Sequence, residues 1–270
     1  MGLTGVLAGT GECRSVSLHA ARPGVSFRGL RLALQFLTRL PVPGVSDFSA
    51  RDLARSAAWF PFVGLVVGAL VGLLAFTLVH RSPALAGIVG VVAWVWMTGA
   101  LHLDGLADLV DALGASHRDP ERFFAVLADP HIGTFGVISI VLTLMLKAAA
   151  LAMLPSGALL CVPLILAWAR LGTLAWARWL KPLKAGHGER FAWQIPVGWI
   201  VFWTLLLLAA SAAVEPTLCV APLVIAAWGG WLQARLGGMT GDCLGAGVEV
   251  TETALLLWAA LTSGVVPGLL

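Results

Sequence analysis

Seven long apolar runs decide what this chain can fold into. Each is close to the ~20 residues that a helix needs to cross a bilayer, and the sequence is 59% hydrophobic and only 11% charged. Soluble domains carry about 25% charged residues, so a soluble fold is excluded. We predict an all-α fold, a polytopic integral membrane helical bundle with about seven transmembrane helices. The predicted spans are residues 59–79, 84–101, 135–154, 158–180, 195–214, 217–236 and 253–270.

The sequence before the first run divides into two parts. Residues 1–26 lack the charged-then-apolar layout of a secretory signal, and we predict that they form a poorly ordered N-terminal tail. Over residues 27–40, arginines recur at helical spacing among apolar residues, and Pro41 ends the pattern. This pattern predicts an amphipathic helix at the membrane interface. We predict that residues 27–270 form a single polytopic membrane domain.

Basic residues set the expected orientation of the chain. Segments rich in Lys and Arg stay in the cytoplasm, which places the Arg-rich N-terminal region and the 102–134, 181–194 and 237–252 connections on that side. Of 14 acidic and 17 basic residues, only Glu215 and Arg81 fall on the opposite side. We therefore expect the working face of the protein to be cytoplasmic.

Three aspartates in the stretch HLDGLADLVDALGAS are spaced for one face of a helix. Asp104, Asp108 and Asp111 stand at i, i+4 and i+7, two residues after His102, so their carboxylates project on the same side. Carboxylates that close raise one another's pKa unless a cation lies among them. Hard oxygen ligands suit a Mg²⁺ ion that shares its coordination shell with substrate phosphates. The spacing predicts a magnesium site, although a solvated helix face would show the same spacing.

The connection after these aspartates contains further polar candidates. Arg122 and Asp129 precede Gly133 and Thr134, which open the next apolar run. Backbone N–H groups at a helix N-terminus bind phosphate oxygens, so this segment is a candidate substrate contact. A turn followed by a helix cap explains the same residues equally well.

Two isolated cations lie within apolar runs. Lys147 stands some twelve residues past the start of its span, about 18 Å at the helical rise, and Arg170 lies inside the next span. A charge in hydrocarbon is costly unless it faces a cavity or a partner. We predict that both side chains face inward, toward acidic groups or toward an anionic substrate.

The last polar connection, RLGGMTGDCLGAGVEVTE, combines glycines with acidic residues. Thr240 and Asp242 are followed by Glu249 and Glu252, and the glycines allow tight backbone turns. With the first acidic helix, this segment suggests two half-sites that meet at a membrane-surface cavity. A flexible membrane hairpin is the alternative interpretation.

Five segments occur in the order seen in one known family. The stretches FLTRLPVP, FPFVG, HLDGLADLVDALGAS, DPHIGTFG and GGMTGDCLGAGVEVTE resemble those of cobalamin synthases, the adenosylcobinamide-GDP ribazoletransferases. The resemblance extends from about residue 27 to the C-terminus. It implies a Mg²⁺-dependent transferase of substituted phosphate groups. Such an enzyme joins adenosylcobinamide-GDP to α-ribazole, or to its 5′-phosphate, and releases GMP during assembly of the nucleotide loop of adenosylcobalamin.

For this reaction, the residue patterns and the resemblance together give the following expected roles for residues of this chain. Catalytic and metal-binding roles are expected for Asp104, Asp108, Asp111 and Asp242. Substrate contacts are expected from His102, Arg122, Asp129, Gly133, Thr134, Lys147, Arg170, Thr240 and Glu249. The expected location is the bacterial cytoplasmic (inner) membrane, with a multi-pass topology and a cytoplasmic active face. Expected partners are the corrinoid-GDP substrate, α-ribazole and membrane lipid, with a homo-oligomer or other late cobalamin-assembly enzymes as further candidates and no nucleic acid.

Two other function classes fit part of the pattern. Aspartates on membrane helices also hold magnesium pyrophosphate in CDP-alcohol phosphotransferases and prenyltransferases, but the DG(x)2AR arrangement is missing, because Ala107 is followed by Asp108. A cation-coupled transporter would use Lys147, Arg170 and the acidic residues as a relay. Transporters expose gates on both sides, whereas this chain has almost no polar residues on the far side.

Overall fold

The computed structural model describes residues 27–116, 119–183 and 195–263. The predicted tail, residues 1–26, and most of the 181–194 connection lie outside the described residues. The α-helices are α1 (Phe27–Leu37), α2 (Ala50–Ser56), α3 (Phe60–Val79), α4 (Pro83–Thr98), α5 (Leu101–Ser116), α6 (Pro120–Val126), α7 (Thr134–Met153), α8 (Val162–Trp179), α9 (Val197–Val214), α10 (Ala221–Leu236) and α11 (Gly241–Thr262). Short 3-10 turns precede α3, α8 and α10.

The prediction of a polytopic helical bundle is confirmed. In the part of the chain that the structure describes, six helices are long and apolar enough to cross a membrane: α3, α7, α8, α9, α10 and α11. Helices α4 and α5 add a seventh span if they are counted together, but the chain bends by 90° between them. At this bend Gly99 and Ala100 have positive φ values of 62° and 59°, a left-handed conformation that ends α4. We treat α4 as the spanning part, because the right-angle bend turns α5 across the end of the bundle.

The predicted start of the last span is wrong. Residues 253–270 were expected to form it, whereas α11 begins at Gly241, so residues 241–252 of the supposed connection are helical. The Thr240 side chain caps this helix by accepting the N–H of Cys243, as N-cap threonines do. The glutamates in this segment made it look like a polar connection, but both of them are buried in the bundle.

Helix α8 forms the centre of the bundle. It is buried along most of its length, whereas less than a third of α7, α9 and α10 is buried inside the protein. Helix α3 approaches α8 closely because Gly64 and Gly68 face it. A Cβ at either position would lie 2.5 Å from a main-chain atom of α8. Small residues at four-residue spacing allow such contacts between membrane helices.

The amphipathic helix predicted over residues 27–40 is helical as far as Leu37. Its apolar face packs on the protein, since Leu32, Ala33 and Leu37 are buried. Arg31 holds the following segment by donating hydrogen bonds to the carbonyl oxygens of Pro43 and Gly44. Ala33 and Leu37 share the hydrophobic core with Phe60, so α1 packs against the end of the bundle at which α3 begins.

Candidate functional site

The acidic helix α5 and the start of α11 meet at one end of the bundle. The contact is close because Gly105 has no side chain: a Cβ there would lie 3.0 Å from the carbonyl oxygen and 3.1 Å from the Cα of Asp242. Asp104 and Asp242 line the same cavity beside this crossing. The two half-sites expected from the sequence are therefore adjacent.

Asp108 lies on α5 within the electrostatic influence of the other three aspartates. The pKa of Asp108 is raised to about 6 by partial burial and by the negative charges of Asp104, Asp242 and Asp111. Burial and like charges both favour the neutral acid. A bound cation would relieve this repulsion, so the group has the chemistry of a divalent-cation site.

The predicted four-carboxylate metal site is not assembled as a preformed cage. Within residues 27–116, 119–183 and 195–263, the structure has no cluster of three His, Cys, Asp or Glu side chains close enough to hold one metal ion. Mg²⁺ characteristically keeps several waters and uses one or two carboxylates together with substrate phosphates. One or two carboxylates from among Asp104, Asp108 and Asp242 would meet that lower requirement.

Asp111 has a different position from the other aspartates. Its two carboxylate oxygens accept the backbone N–H groups of Gly133, at 2.7 Å, and Gly136, at 2.8 Å. These are orphan donors at the start of α7, and a carboxylate there also interacts favourably with the helix dipole. Asp111 is buried. It therefore caps α7 from α5, and we remove it from the predicted ligand set.

The same contact corrects the interpretation of the α7 N-terminus. A phosphate was expected to bind near Gly133 and Thr134, but the N–H of Gly133 is already donated to Asp111. Thr134, the first residue of α7, is exposed. The alternative reading of the sequence, a turn followed by a helix cap, describes this segment correctly.

The two intramembrane cations form one buried ion cluster with two glutamates. Lys147 Nζ lies 2.7 Å from Glu249 Oε2 and also bonds Glu252. Arg170 pairs with Glu252 through Nη1. Lys147 also lies over the Trp94 ring, 4.3 Å from its centroid, at cation–π distance. The prediction that both cations face inward, toward acidic groups, is confirmed.

Glu252 and Trp94 were absent from the predicted site residues. Glu252 is fully buried and touches both cations. The sequence could have indicated Glu252, because residues three positions apart share a helix face and Glu249 stands three positions earlier. The signal could be used only once this segment was known to be helical. Trp94 offered no comparable signal among the tryptophans.

The remaining predicted residues are spread over the same end of the molecule. His102 is buried and lines the cavity, and its pKa lies well below the usual value because of burial and the nearby Arg170 and Lys147 charges. Arg122 is exposed on α6. Asp129 is exposed; its pKa is lowered by the backbone N–H of His131, which it accepts at 3.0 Å, and by the His131 ring. The structure does not bring Arg122 or Asp129 into the cavity lining.

The cavity has a volume of about 340 Å³. It lies between α1, the start of α3, the start of α5, the end of α8 and the start of α11. Most of its lining is apolar, and its polar groups include His102, Asp104 and Asp242. Apolar pockets with a few convergent polar groups are the usual form of small-molecule sites.

Known proteins that are similar to this chain identify its family. The family model described as cobalamin-5-phosphate synthase matches residues 29–260, which include every element that lines the cavity. The chain belongs to the cobalamin-5-phosphate synthase family. It is thus a transferase of cobalamin biosynthesis with several membrane-spanning helices.

Relatives named adenosylcobinamide-GDP ribazoletransferase match the chain over nearly their whole length. One from Thiobacillus denitrificans is 51% identical over 251 residues, covering 89% of this chain and 100% of the relative. One from Laribacter hongkongensis is 51% identical and covers 87% and 98%, and one from Pseudomonas putida is 38% identical and covers 85% and 97%. No solved structure matches the chain. Membership of the cobalamin-5-phosphate synthase family disfavours the transporter and the other membrane transferases considered from the sequence.

Proposed function

We propose that this protein joins adenosylcobinamide-GDP to α-ribazole, or to its 5′-phosphate, at the inner membrane of a bacterium. The names of the relatives support the choice of substrates. The observation that carries the proposal is the close crossing of α5 and α11 at Gly105 and Asp242. It brings carboxylates from distant parts of the sequence to the edge of one cavity.

The proposed reaction is a phosphoryl transfer. A ribose hydroxyl oxygen of the acceptor attacks the phosphorus attached to the cobinamide, and the bond between this phosphorus and the bridging oxygen of GMP breaks. GMP leaves with the electron pair of that bond, and the hydroxyl proton passes to a carboxylate of the site or to water. Such reactions need mainly positioning and charge neutralisation from a protein.

We assign the magnesium ion to the acidic edge formed by Asp104, Asp108 and Asp242, where one or two of these carboxylates would hold it together with waters and substrate phosphates. Hard oxygen donors that repel one another are suited to this cation, and Asp104 and Asp242 line the same cavity. When bound, Mg²⁺ would neutralise the diphosphate and the departing GMP. The carboxylates themselves orient the hydroxyl of the acceptor by accepting its hydrogen bond.

Lys147, Arg170 and Glu249 support the site from inside the bundle in this proposal. Their charged groups form ion pairs with one another and with Glu252. We therefore do not assign them to substrate phosphates. Arg122, exposed on α6, keeps its proposed role of attracting the anionic donor.

We also propose that the acidic end of the bundle faces the cytoplasm. Arg178 and Arg235, in the last turns of α8 and α10, lie at the same end as Asp104 and Asp242, which supports this orientation by the positive-inside rule. The exposed apolar side chains of α7 and α9, including Val141, Met145 and Leu205, are suited to contact with lipid.

The test is a conversion assay on purified full-length protein with adenosylcobinamide-GDP, α-ribazole and Mg²⁺, with GMP release as the readout. We expect Asp104→Asn and Asp108→Asn to lower GMP release about a hundredfold or more, as loss of transition-state charge stabilisation does. The control is Asp47→Asn, which changes an exposed aspartate outside the cavity lining. No conversion by the unaltered protein would refute the function. Normal turnover by both site variants would refute the metal assignment alone.

A further inference from the structure

The cavity beside Asp104 and Asp242 is too small for both substrates. Its volume of about 340 Å³ lies near the lower end of the range for small-molecule sites, about 300–1,000 Å³. This is room for a group of nucleoside size. A corrin ring with its amide side chains and attached GDP is several times larger, so the donor does not fit inside.

The walls of the cavity favour a flat apolar group. Phe36 of α1 and Phe60 of α3 stack with ring centroids 6.0 Å apart and an interplanar angle of 15°, and both line the cavity. Leu101 and Leu174 add aliphatic surface. Stacked rings of this kind pack well against a further aromatic ring, and each such contact is worth about 0.5–1.5 kcal/mol beyond the area it buries.

The polar edge of the cavity favours hydroxyl groups over phosphates. Among the described residues that line it, the charged side chains at neutral pH are Asp104 and Asp242. Carboxylates accept hydrogen bonds from hydroxyl groups but repel phosphate oxygens unless a cation lies between them. Thr173 adds a neutral hydroxyl to the lining. A ribose fits beside this edge, while a diphosphate fits only outside the cavity, at the carboxylates.

We propose that this cavity is the acceptor subsite: it takes the apolar aromatic base of ribazole between Phe36 and the neighbouring apolar walls, with the ribose hydroxyls toward Asp104 and Asp242. The corrinoid donor stays outside it and offers its diphosphate at the acidic edge. This assignment rests on the proposed function. It makes Phe36, on the amphipathic helix α1, a specificity-determining residue for the acceptor.

Phe36→Ala is the direct test, because this side chain is 39% exposed and its removal leaves the interior of the bundle intact. Phe27→Ala is the matched control: it removes the same side chain from the same helix, at a position that is 76% exposed and outside the cavity lining. Phe36→Leu is an intermediate variant that keeps apolar surface but loses the ring.

Two measurements separate this proposal from the proposed function. Equilibrium dialysis measures binding of α-ribazole, and separately of α-ribazole 5′-phosphate, to the full-length protein with and without Mg²⁺. Steady-state kinetics measure KM for the acceptor and for adenosylcobinamide-GDP. We expect Phe36→Ala to weaken acceptor binding and raise acceptor KM about tenfold, with donor KM unchanged. Phe36→Leu should give a smaller effect and Phe27→Ala none.

The possible results are distinguishable. An unchanged acceptor affinity in Phe36→Ala, a rise in donor KM instead, or an equal effect of Phe27→Ala would overturn the acceptor subsite while conversion by the unaltered protein still supports the proposed function. A third result is that the unaltered protein binds α-ribazole, Phe36→Ala does not, and neither converts the substrates. The proposed reaction is then wrong and the cavity assignment stands. No acceptor binding by the unaltered protein, with or without Mg²⁺ and donor, would overturn the subsite.

Discussion

The ammonium group of Lys147 lies 2.7 Å from a carboxylate oxygen of Glu249, 102 positions later in the chain. Glu252 completes the contact by bonding both Lys147 and Arg170. Two cations and two carboxylates thus form a neutral group that joins α7, α8 and α11. Isolated charges at this depth are costly, and their mutual pairing is what allows these helices to carry them.

Removal of one charge should therefore destabilise the bundle more than removal of a pair. We expect Lys147→Met to cost about 3–5 kcal/mol, the range for breaking a buried ion pair, because Glu249 and Glu252 lose their shared cation. The double variant Lys147→Met with Glu249→Gln should recover part of this loss. Denaturant unfolding in detergent measures both, and a single variant as stable as the unaltered protein would contradict the role of the cluster.

Substitutions of Asp111 and Asp104 should have different effects, the first on the stability of the protein and the second on Mg²⁺ binding. Asp111→Asn places an amide where two backbone N–H groups are accepted, so we expect a loss of about 1–3 kcal/mol with little change in Mg²⁺ affinity. Asp104→Asn, at an exposed position, should weaken Mg²⁺ binding with little change in stability. Unfolding and magnesium titration calorimetry test both variants. A loss of Mg²⁺ affinity in Asp111→Asn equal to that in Asp104→Asn would return Asp111 to the ligand set.

The sequence predicted best what depends on local composition. Apolar runs identified the spans, because a bilayer demands length and hydropathy of each helix separately. The depth of Lys147 and Arg170 showed that they need partners. The first aspartates predicted an acidic helix face, and α5 provides it.

What the sequence could not predict depends on contacts between distant segments. Glu249 and Glu252 made the start of α11 look like a loop, because a carboxylate is costly to bury in a membrane. That free-energy cost is offset only by pairing with Lys147 and Arg170, which the sequence does not show. Asp111 has the spacing of a metal ligand but bonds α7 across 22 positions of sequence. The position of α1 beside the cavity likewise depends on the stacking of Phe36 on Phe60, a residue of another helix.

The proposed orientation predicts which residues are accessible from each side of the membrane. In a variant lacking the native cysteines, Arg81→Cys marks the turn between α3 and α4, and Glu121→Cys marks α6; both positions are exposed. By the positive-inside rule, a membrane-impermeant maleimide added to intact spheroplasts should label Arg81→Cys at once. Glu121→Cys should react only after permeabilisation. The reverse labelling pattern would place the acidic end outside the cytoplasm.

The crossing of α5 and α11 should tolerate almost no added volume. A side chain at position 105 would meet the main chain of Asp242 at 3.0–3.1 Å, and a main chain cannot rotate away as a side chain does. We expect Gly105→Val to separate the two carboxylate-bearing helices and lower GMP release about a hundredfold, as displacements near 1 Å at a reacting centre do. Gly105→Ala should give a smaller loss.

The control for this crossing is Gly198→Val on α9, where no described atom lies within 4 Å of an added Cβ. Both substitutions place the same β-branched side chain in a helix, so the difference in GMP release reports mainly the contact with Asp242. Mg²⁺ affinity should fall in Gly105→Val and stay constant in Gly198→Val, because the site needs carboxylates from both helices. Equal activity of the two variants would mean that Asp104 and Asp108 act without Asp242.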